Sequence, residues 1–387
     1  MISDLSTFAA RLRESIRSGF SAEDFGAWAL ELFAAQLARN PAYRTICEAR
    51  RASPLTVSHW SQIPAAPTAA FKELELTSLS PAERTHVFHS SGTTAQRPSR
   101  HFHNAESLTI YEASLETWFE AQATRDISNR NSSTTEPAGG MGDDPRLLSS
   151  AVTFRVVILT PPSAEAPNSS LVHMFDFIQR KLGADGSTFV GRVDAEGAWT
   201  VDFAAARTVL TRNDSRPVLV LGTAFALVHL LDELTVRNVR VQLPPGSRVL
   251  ETGGYKGRSR VVPKTELHAL ITERLGVPAA HIVAEYGMSE LSSQAYDSDG
   301  RREKSGERKE NRVFHFPPWT RAQIISPETG HEVGEGETGL LRVFDLANVF
   351  SVMAIQTEDL AVRCGEGFAL LGRAPRAEPR GCSLRTV

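Results

Sequence analysis

The chain has 387 residues and a net charge of -3, which gives length for one large domain or two ordinary ones and no field that would gather nucleic acid or an anionic membrane. Its three cysteines, Cys47, Cys364 and Cys382, make neither a paired framework nor a metal-ligand spacing, a usage that fits a reducing cytoplasm. The most apolar stretch, 218–231, is too short for a membrane span, and the start of the chain lacks the apolar core of a signal peptide, so a soluble cytoplasmic protein is expected.

Two helical patterns, 3–18 and 24–38, open the chain. After Pro41 an irregular proline-rich passage, SQIPAAPTAAFKELEL, reads as extended chain and leads to the hydroxyl-rich loop HSSGTTAQRPSRHFH at 89–103. A helix is expected over 105–124, then a polar insertion at 125–144; a second polar run, 297–312, reads as another solvated insertion. Between them, apolar β-rich runs at 153–160, 217–221, 247–251 and 281–285 alternate with helical patterns at 170–183, 202–212, 223–235 and 264–275. That alternation predicts an α/β fold with a mostly parallel sheet covered by helices on both faces. Residues 313–373 read as short strands and turns of a small β-rich subdomain. The expected organisation is therefore an α/β part at 1–312, a β-rich part at 313–373, and a mobile tail at 374–387 that carries Cys382.

Ligands of such sheets bind beyond the carboxyl ends of the strands, which directs attention to Thr160-Pro161, Gly222-Thr223, Thr252-Gly253-Gly254 and Tyr286-Gly287. Gly253 and Gly254 leave bare backbone for a flat or bulky ligand. The stretch EYGMSELSSQAYD (285–297) offers a ring, a glycine, a hydroxyl and a carboxylate, and QTEDL (356–360) adds an acidic pair. The loop Ser90-Ser91-Gly92-Thr93-Thr94 lacks the Gly-Lys-Ser/Thr ending of a P-loop, yet its hydroxyls and free N–H groups suit phosphate oxygens. Together these segments predict a nucleotide site, with Glu290 as a hard oxygen ligand for Mg²⁺. His89, His101 and His103 are close in sequence, but the loop accounts for them better than a metal does.

Taken in order, Ser90–Thr94, Tyr286-Gly287-Met288-Ser289-Glu290, and Thr357-Glu358-Asp359 before Leu371-Gly372-Arg373 resemble the motifs of adenylate-forming enzymes. The text around them, PNSSLVHMF, ETGGYKGRSR, FDLANVFSVMAIQTEDL and GRAPRAEPRGCSL, is similar to the LuxE-type acyl-protein synthetases, the fatty-acid-activating component of the bioluminescence fatty-acid reductase. The resemblance implies ATP and Mg²⁺ as cofactors, a carboxylic acid (of the fatty class) as substrate, and an acyl-adenylate intermediate. It also implies that Thr93, Thr94 and Ser289 contact phosphates, that Gly254 and Tyr286 border the adenine, and that Asp359 takes the ribose hydroxyls with Arg373 beside it.

Two departures stand out. Ala95 and Ser99 replace the glycine and lysine common in such loops, and Arg97 and Arg100 are the nearest cations that could compensate a triphosphate. Little sequence follows Arg373, so the mobile lid with a catalytic lysine is expected to be absent or much reduced, and Lys256 and Lys72 are guesses for that lysine. Cys382 stands among Arg376, Arg380 and Arg385, whose charge favours its thiolate, and the family's self-acylated cysteine also lies near the C-terminus. Cys382 is therefore taken as the acyl acceptor, with onward transfer to an acyl reductase. Delivery to coenzyme A or a carrier-protein thiol is the alternative, and a non-catalytic nucleotide-binding protein is the reading of another class.

Overall fold

The computed structural model describes residues 4–90, 97–123, 153–253, 262–298 and 312–374. Five parallel strands, in the order Thr188–Phe189, Arg155–Ile158, Val218–Thr223, Arg248–Thr252 and Ile282–Tyr286, form one side of a 12-stranded sheet. The central runs are near-continuously buried, as a sheet covered on both faces requires. Val156, Ile158, Leu219 and Leu221 pack against Leu115 and Phe119 of helix Ala105–Ala123 and Phe175 and Ile178 of helix Ser170–Leu182. Val157, Val218, Val220 and Val249 face the opposite way, onto Leu227 and Leu231 of helix Ala224–Val236 and Ile271 of helix Lys264–Leu275.

Beyond Tyr286 the sheet turns antiparallel. Strand Ala295–Ser298 pairs back on Ile282–Tyr286, and Val313–His315, Gly367–Arg373, Ala354–Cys364, Thr338–Asp345 and Thr320–Ile325 follow outward. The strands of 313–373 are thus hydrogen-bonded into the same sheet as the parallel ones. Helices Leu5–Ser18 and Phe25–Arg39 cover this half through Phe8, Leu12 and Phe33 against Leu341, Phe344 and Phe350. No helix among the described residues is long and apolar enough to cross a membrane.

Two sequence expectations need correction. The passage after Pro41 is not irregular from its start: Pro41–Ala49 is a helix, with Pro41 in its first turn and the Asn40 side chain accepting from Tyr43 N at 3.0 Å. The polar run at 297–312 begins too early, because Asp297 is buried in strand Ala295–Ser298. Its carboxylate accepts from Ala284 N at 2.6 Å and lies 2.5 Å from Arg312 Nε, so charge pairing rather than solvent stabilises it.

Candidate active site

The carboxyl ends of the neighbouring strands Arg248–Thr252 and Ile282–Tyr286 open onto a cavity of about 300 Å³. Gly253 ends the first with φ +69°, a conformation that glycine adopts without a Cβ penalty, and leaves bare backbone at the wall. Tyr286, Gly287, Ser289 and Glu290 line the cavity from the second strand and the turn after it. Asp359 and Arg373 reach it from the antiparallel pair Ala354–Cys364 and Gly367–Arg373, where they stand opposite one another in register. Ser90 lies at the open end of the hairpin His86–His89/Arg100–His103, which continues through Ser90 N to Ser99 O at 3.3 Å and Ser99 N to Ser90 Oγ at 2.9 Å. Of the residues singled out in the sequence, Ser90, Gly253, Tyr286, Gly287, Ser289, Glu290, Asp359 and Arg373 therefore meet around one space. Ser91, Gly92, Thr93, Thr94, Gly254 and Cys382 lie outside the described residues.

Hydrogen bonds fix the acidic and aromatic members. Tyr286 Oη donates to Asp359 Oδ2 at 2.8 Å while its ring packs edge-on against Phe314, Phe316 and Phe368. Arg373 sits 2.5 Å from Glu358 and 3.4 Å from Asp359. Glu290 is fully buried, its Oε2 accepting from Ser289 Oγ at 3.2 Å. The turn that carries it is clamped from the FDLAN segment. Asp345 accepts from the backbone N–H groups of Ser292 and Ser293 at 2.9 and 2.8 Å, and Asn348 Nδ2 donates to the Glu290 carbonyl at 2.9 Å. From the hairpin, His101 Nδ1 donates to the Ser289 carbonyl at 2.8 Å; burial holds this imidazole neutral by lowering its pKa to about 4, against smaller opposing effects of the Ser289 carbonyl and Glu290. His101 and His103 are buried rings in tilted contact, 4.1 Å between centroids.

Arg97 and Arg100 do not line the cavity. Arg97 is largely exposed and 3.6 Å from Glu73, and Arg100 pairs with Glu75 at 3.4 Å over the Phe102 ring. Among the described residues the cations at the wall are Arg373 and Lys264, and the sequence reading missed the second. Lys264 opens its helix, 3.1 Å from Glu251 and above the Phe314 ring. Burial alone would raise the Glu251 carboxyl, but the His268 hydrogen bond and the Lys264 charge overcome it and hold it low. Glu285 was missed too. Among the described residues it has no cation partner, and burial lifts its pKa to about 7, with Glu251 adding to the rise and a hydrogen bond from Thr252 opposing it. An acidic residue at the end of an apolar strand run was the available signal.

Helix Ser170–Leu182 contributes Ser170, Leu171 and Met174, joined by Tyr111 from helix Ala105–Ala123. Helix Ala224–Val236 does not reach this cavity; its Phe225, Ala226 and His229 line a separate space of about 140 Å³ with Thr223 and Trp199. Thr160-Pro161 and Gly222-Thr223 likewise stand away from the main cavity.

The model of the LuxE acyl-protein synthetase family matches residues 151–386, more than half of the chain. The chain belongs to the LuxE family. The curated relative is a long-chain-fatty-acid–luciferin-component ligase of Aliivibrio fischeri, 20% identical over 153 residues, or 39% of the LuxE-family chain here and 38% of the relative's own length. Among solved structures, 2-hydroxyisobutyryl-CoA ligase with 2-HIB-AMP and CoA in its thioesterification state superposes with TM-score 0.61 at 13% identity, covering 92% of this chain and 69% of that one. The open conformation of the same ligase gives TM-score 0.59 at 12% identity over 96% and 75% of the two chains. At these identities the likeness is one of fold, shared with 2-hydroxyisobutyryl-CoA ligase.

Proposed function

We propose that this LuxE-family protein activates a carboxylic acid of the fatty class with ATP, forming an acyl-adenylate, and passes the acyl group to the thiol of Cys382. The observation that carries the reading is the convergence of Ser90, Gly253, Ser289, Glu290, Asp359 and Arg373, from widely separated stretches, on one cavity that also has apolar walls at Leu171 and Met174. In the first step a carboxylate oxygen of the acid attacks the α-phosphorus of ATP, the bond to the bridging oxygen of the β-phosphate breaks, and pyrophosphate leaves. In the second, the thiolate sulfur attacks the acyl carbon and AMP leaves with the electron pair of the broken C–O bond.

Each described residue has a part fitted to its place. Asp359 presents carboxylate oxygens to the ribose hydroxyls and is held for this by Tyr286. Gly253 and the Tyr286 ring border the adenine, while the hydroxyls of Ser90 and Ser289 take phosphate oxygens. Arg373 adds positive charge beside Asp359. Mg²⁺ suits this donor set, because that ion is commonly bound by one or two carboxylates together with substrate phosphates. Glu290 is the residue that would hold it, and no cluster of three or more His, Cys, Asp or Glu among the described residues offers a self-sufficient metal cage. The bound ion would offset charge on the phosphates.

Tyr286→Phe keeps the ring packing and removes one donor, so KM for ATP is expected to rise roughly 2- to 10-fold with little change in kcat. An unchanged KM would detach Tyr286 and Asp359 from the nucleotide. The acceptor is tested by a pyrophosphate-release screen over carboxylic acids combined with intact-mass analysis. With ATP and the active acid, the wild type is expected to gain one acyl mass and Cys382→Ser none, while pyrophosphate release persists in both. Thioester formed on added coenzyme A or carrier protein by Cys382→Ser would instead make those thiols the acceptors. The reductase that would receive the acyl group follows the same test, as its donor is the Cys382 thioester.

A further inference from the structure

Glu285 is placed oddly for a cavity meant for hydrocarbon. It alternates with Tyr286 at the end of the same strand, so the two point to opposite faces: Tyr286 toward Phe314 and Asp359, Glu285 toward the Tyr111 side. The side chain is 7% exposed and lines the cavity. One carboxyl oxygen, Oε2, accepts from Thr252 Oγ1. The other, Oε1, has no hydrogen-bond partner among the described residues, and a Cβ at position 287 would lie 2.3 Å from it. Glycine at 287 therefore keeps room for this carboxyl oxygen at the cavity wall.

A leucine or valine at 285 would serve a plain alkyl chain better. Once an alkyl chain displaced the water, a carboxyl oxygen facing it would be left without a partner, which is costly in either protonation state. Among the described residues, Lys264 at the wall pairs with Glu251 instead, which also has His268 as a partner. A hydrogen-bond donor on the ligand removes the conflict. Resting on the reading of this cavity as the site of acid activation, we infer that Glu285 is a specificity-determining residue that selects acyl chains bearing a hydroxyl or amine over unsubstituted alkanoates. Its raised pKa agrees, since a carboxyl near neutrality can both accept from a hydroxyl and donate to it.

The test uses the full-length protein and calorimetric titration with octanoate and the positional series of its monohydroxy and monoamino derivatives. At least one derivative is expected to bind the wild type on the order of tenfold or more tightly than octanoate, because a site built for a polar group rejects the analogue that lacks it. Glu285→Leu should abolish or reverse that preference, and Glu285→Gln, which keeps an acceptor and a similar volume, should retain part of it for hydroxy acids. Equal or tighter binding of octanoate to the wild type, or a preference that survives Glu285→Leu, overturns the inference. So does a Glu285→Leu protein that loses ATP affinity but keeps the acid preference. Pyrophosphate release followed in the same samples separates the two claims: its absence with the preference intact would sink acid activation alone, and its presence without any preference would sink the role of Glu285 alone.

Discussion

Glu290→Gln is expected to lower acid-dependent pyrophosphate release by on the order of 10²-fold or more while leaving the fold intact. The amide matches the carboxyl in size, so the buried position next to Ser289 stays filled. It removes the hard anionic oxygen proposed above to hold Mg²⁺. The Mg²⁺ concentration for half-maximal rate should rise in the variant, and removal of Mg²⁺ with a chelator should abolish turnover in the wild type. Titration of initial rates against Mg²⁺ for both proteins checks this. An unchanged rate with an unchanged Mg²⁺ dependence would take Glu290 out of the reaction.

Asp345→Ala carries the other large effect, this time on stability. Asp345 is fully buried, and burial pushes its carboxyl up although the Ser292, Ser293 and Ala347 hydrogen bonds pull against it. Truncation strands the backbone N–H groups of Ser292, Ser293 and Ala347 and takes from the Ser293 hydroxyl one of its two partners, leaving it Ser114. Each stranded buried donor costs about 1–3 kcal/mol, and shared relaxation keeps the sum below the simple total, so a loss on the order of 3 kcal/mol or more is expected. The same change loosens the turn that holds Ser289 and Glu290, so the surviving folded fraction should turn over slowly. Denaturant unfolding with activity measured at matched folded fraction separates the two effects. A variant as stable and active as the wild type would contradict the clamp.

Much of this architecture was legible in the chain. The four apolar runs at 153–160, 217–221, 247–251 and 281–285 coincide closely with four of the parallel strands, because strands buried on both faces leave continuous β-branched text that no loop imitates. The convergence of Tyr286, Glu290, Asp359 and Arg373 could be anticipated because their motifs follow a family order. Contacts set by three-dimensional pairing could not. Nothing local distinguishes Asp297 from its polar neighbours until Arg312 arrives beside it. Arg97 and Arg100 suit phosphate in the sequence as the cations nearest the loop and by arginine's bidentate fit, and the carboxylates beside them, Glu73 and Glu75, lie in a preceding segment read as irregular. Glu285 and Lys264 were overlooked for a related reason, since a charged residue at a strand end or helix start reads as surface until the opposite wall of the cavity is known.

Oxygen-isotope transfer tests the central claim most directly. With ATP, Mg²⁺ and the active acid labelled with oxygen-18 in its carboxyl group, transfer of the acyl group to its thiol should leave one labelled oxygen in AMP, accompanied by unlabelled pyrophosphate. ATP that binds and remains intact, or that is cleaved without label entering AMP, would contradict the account.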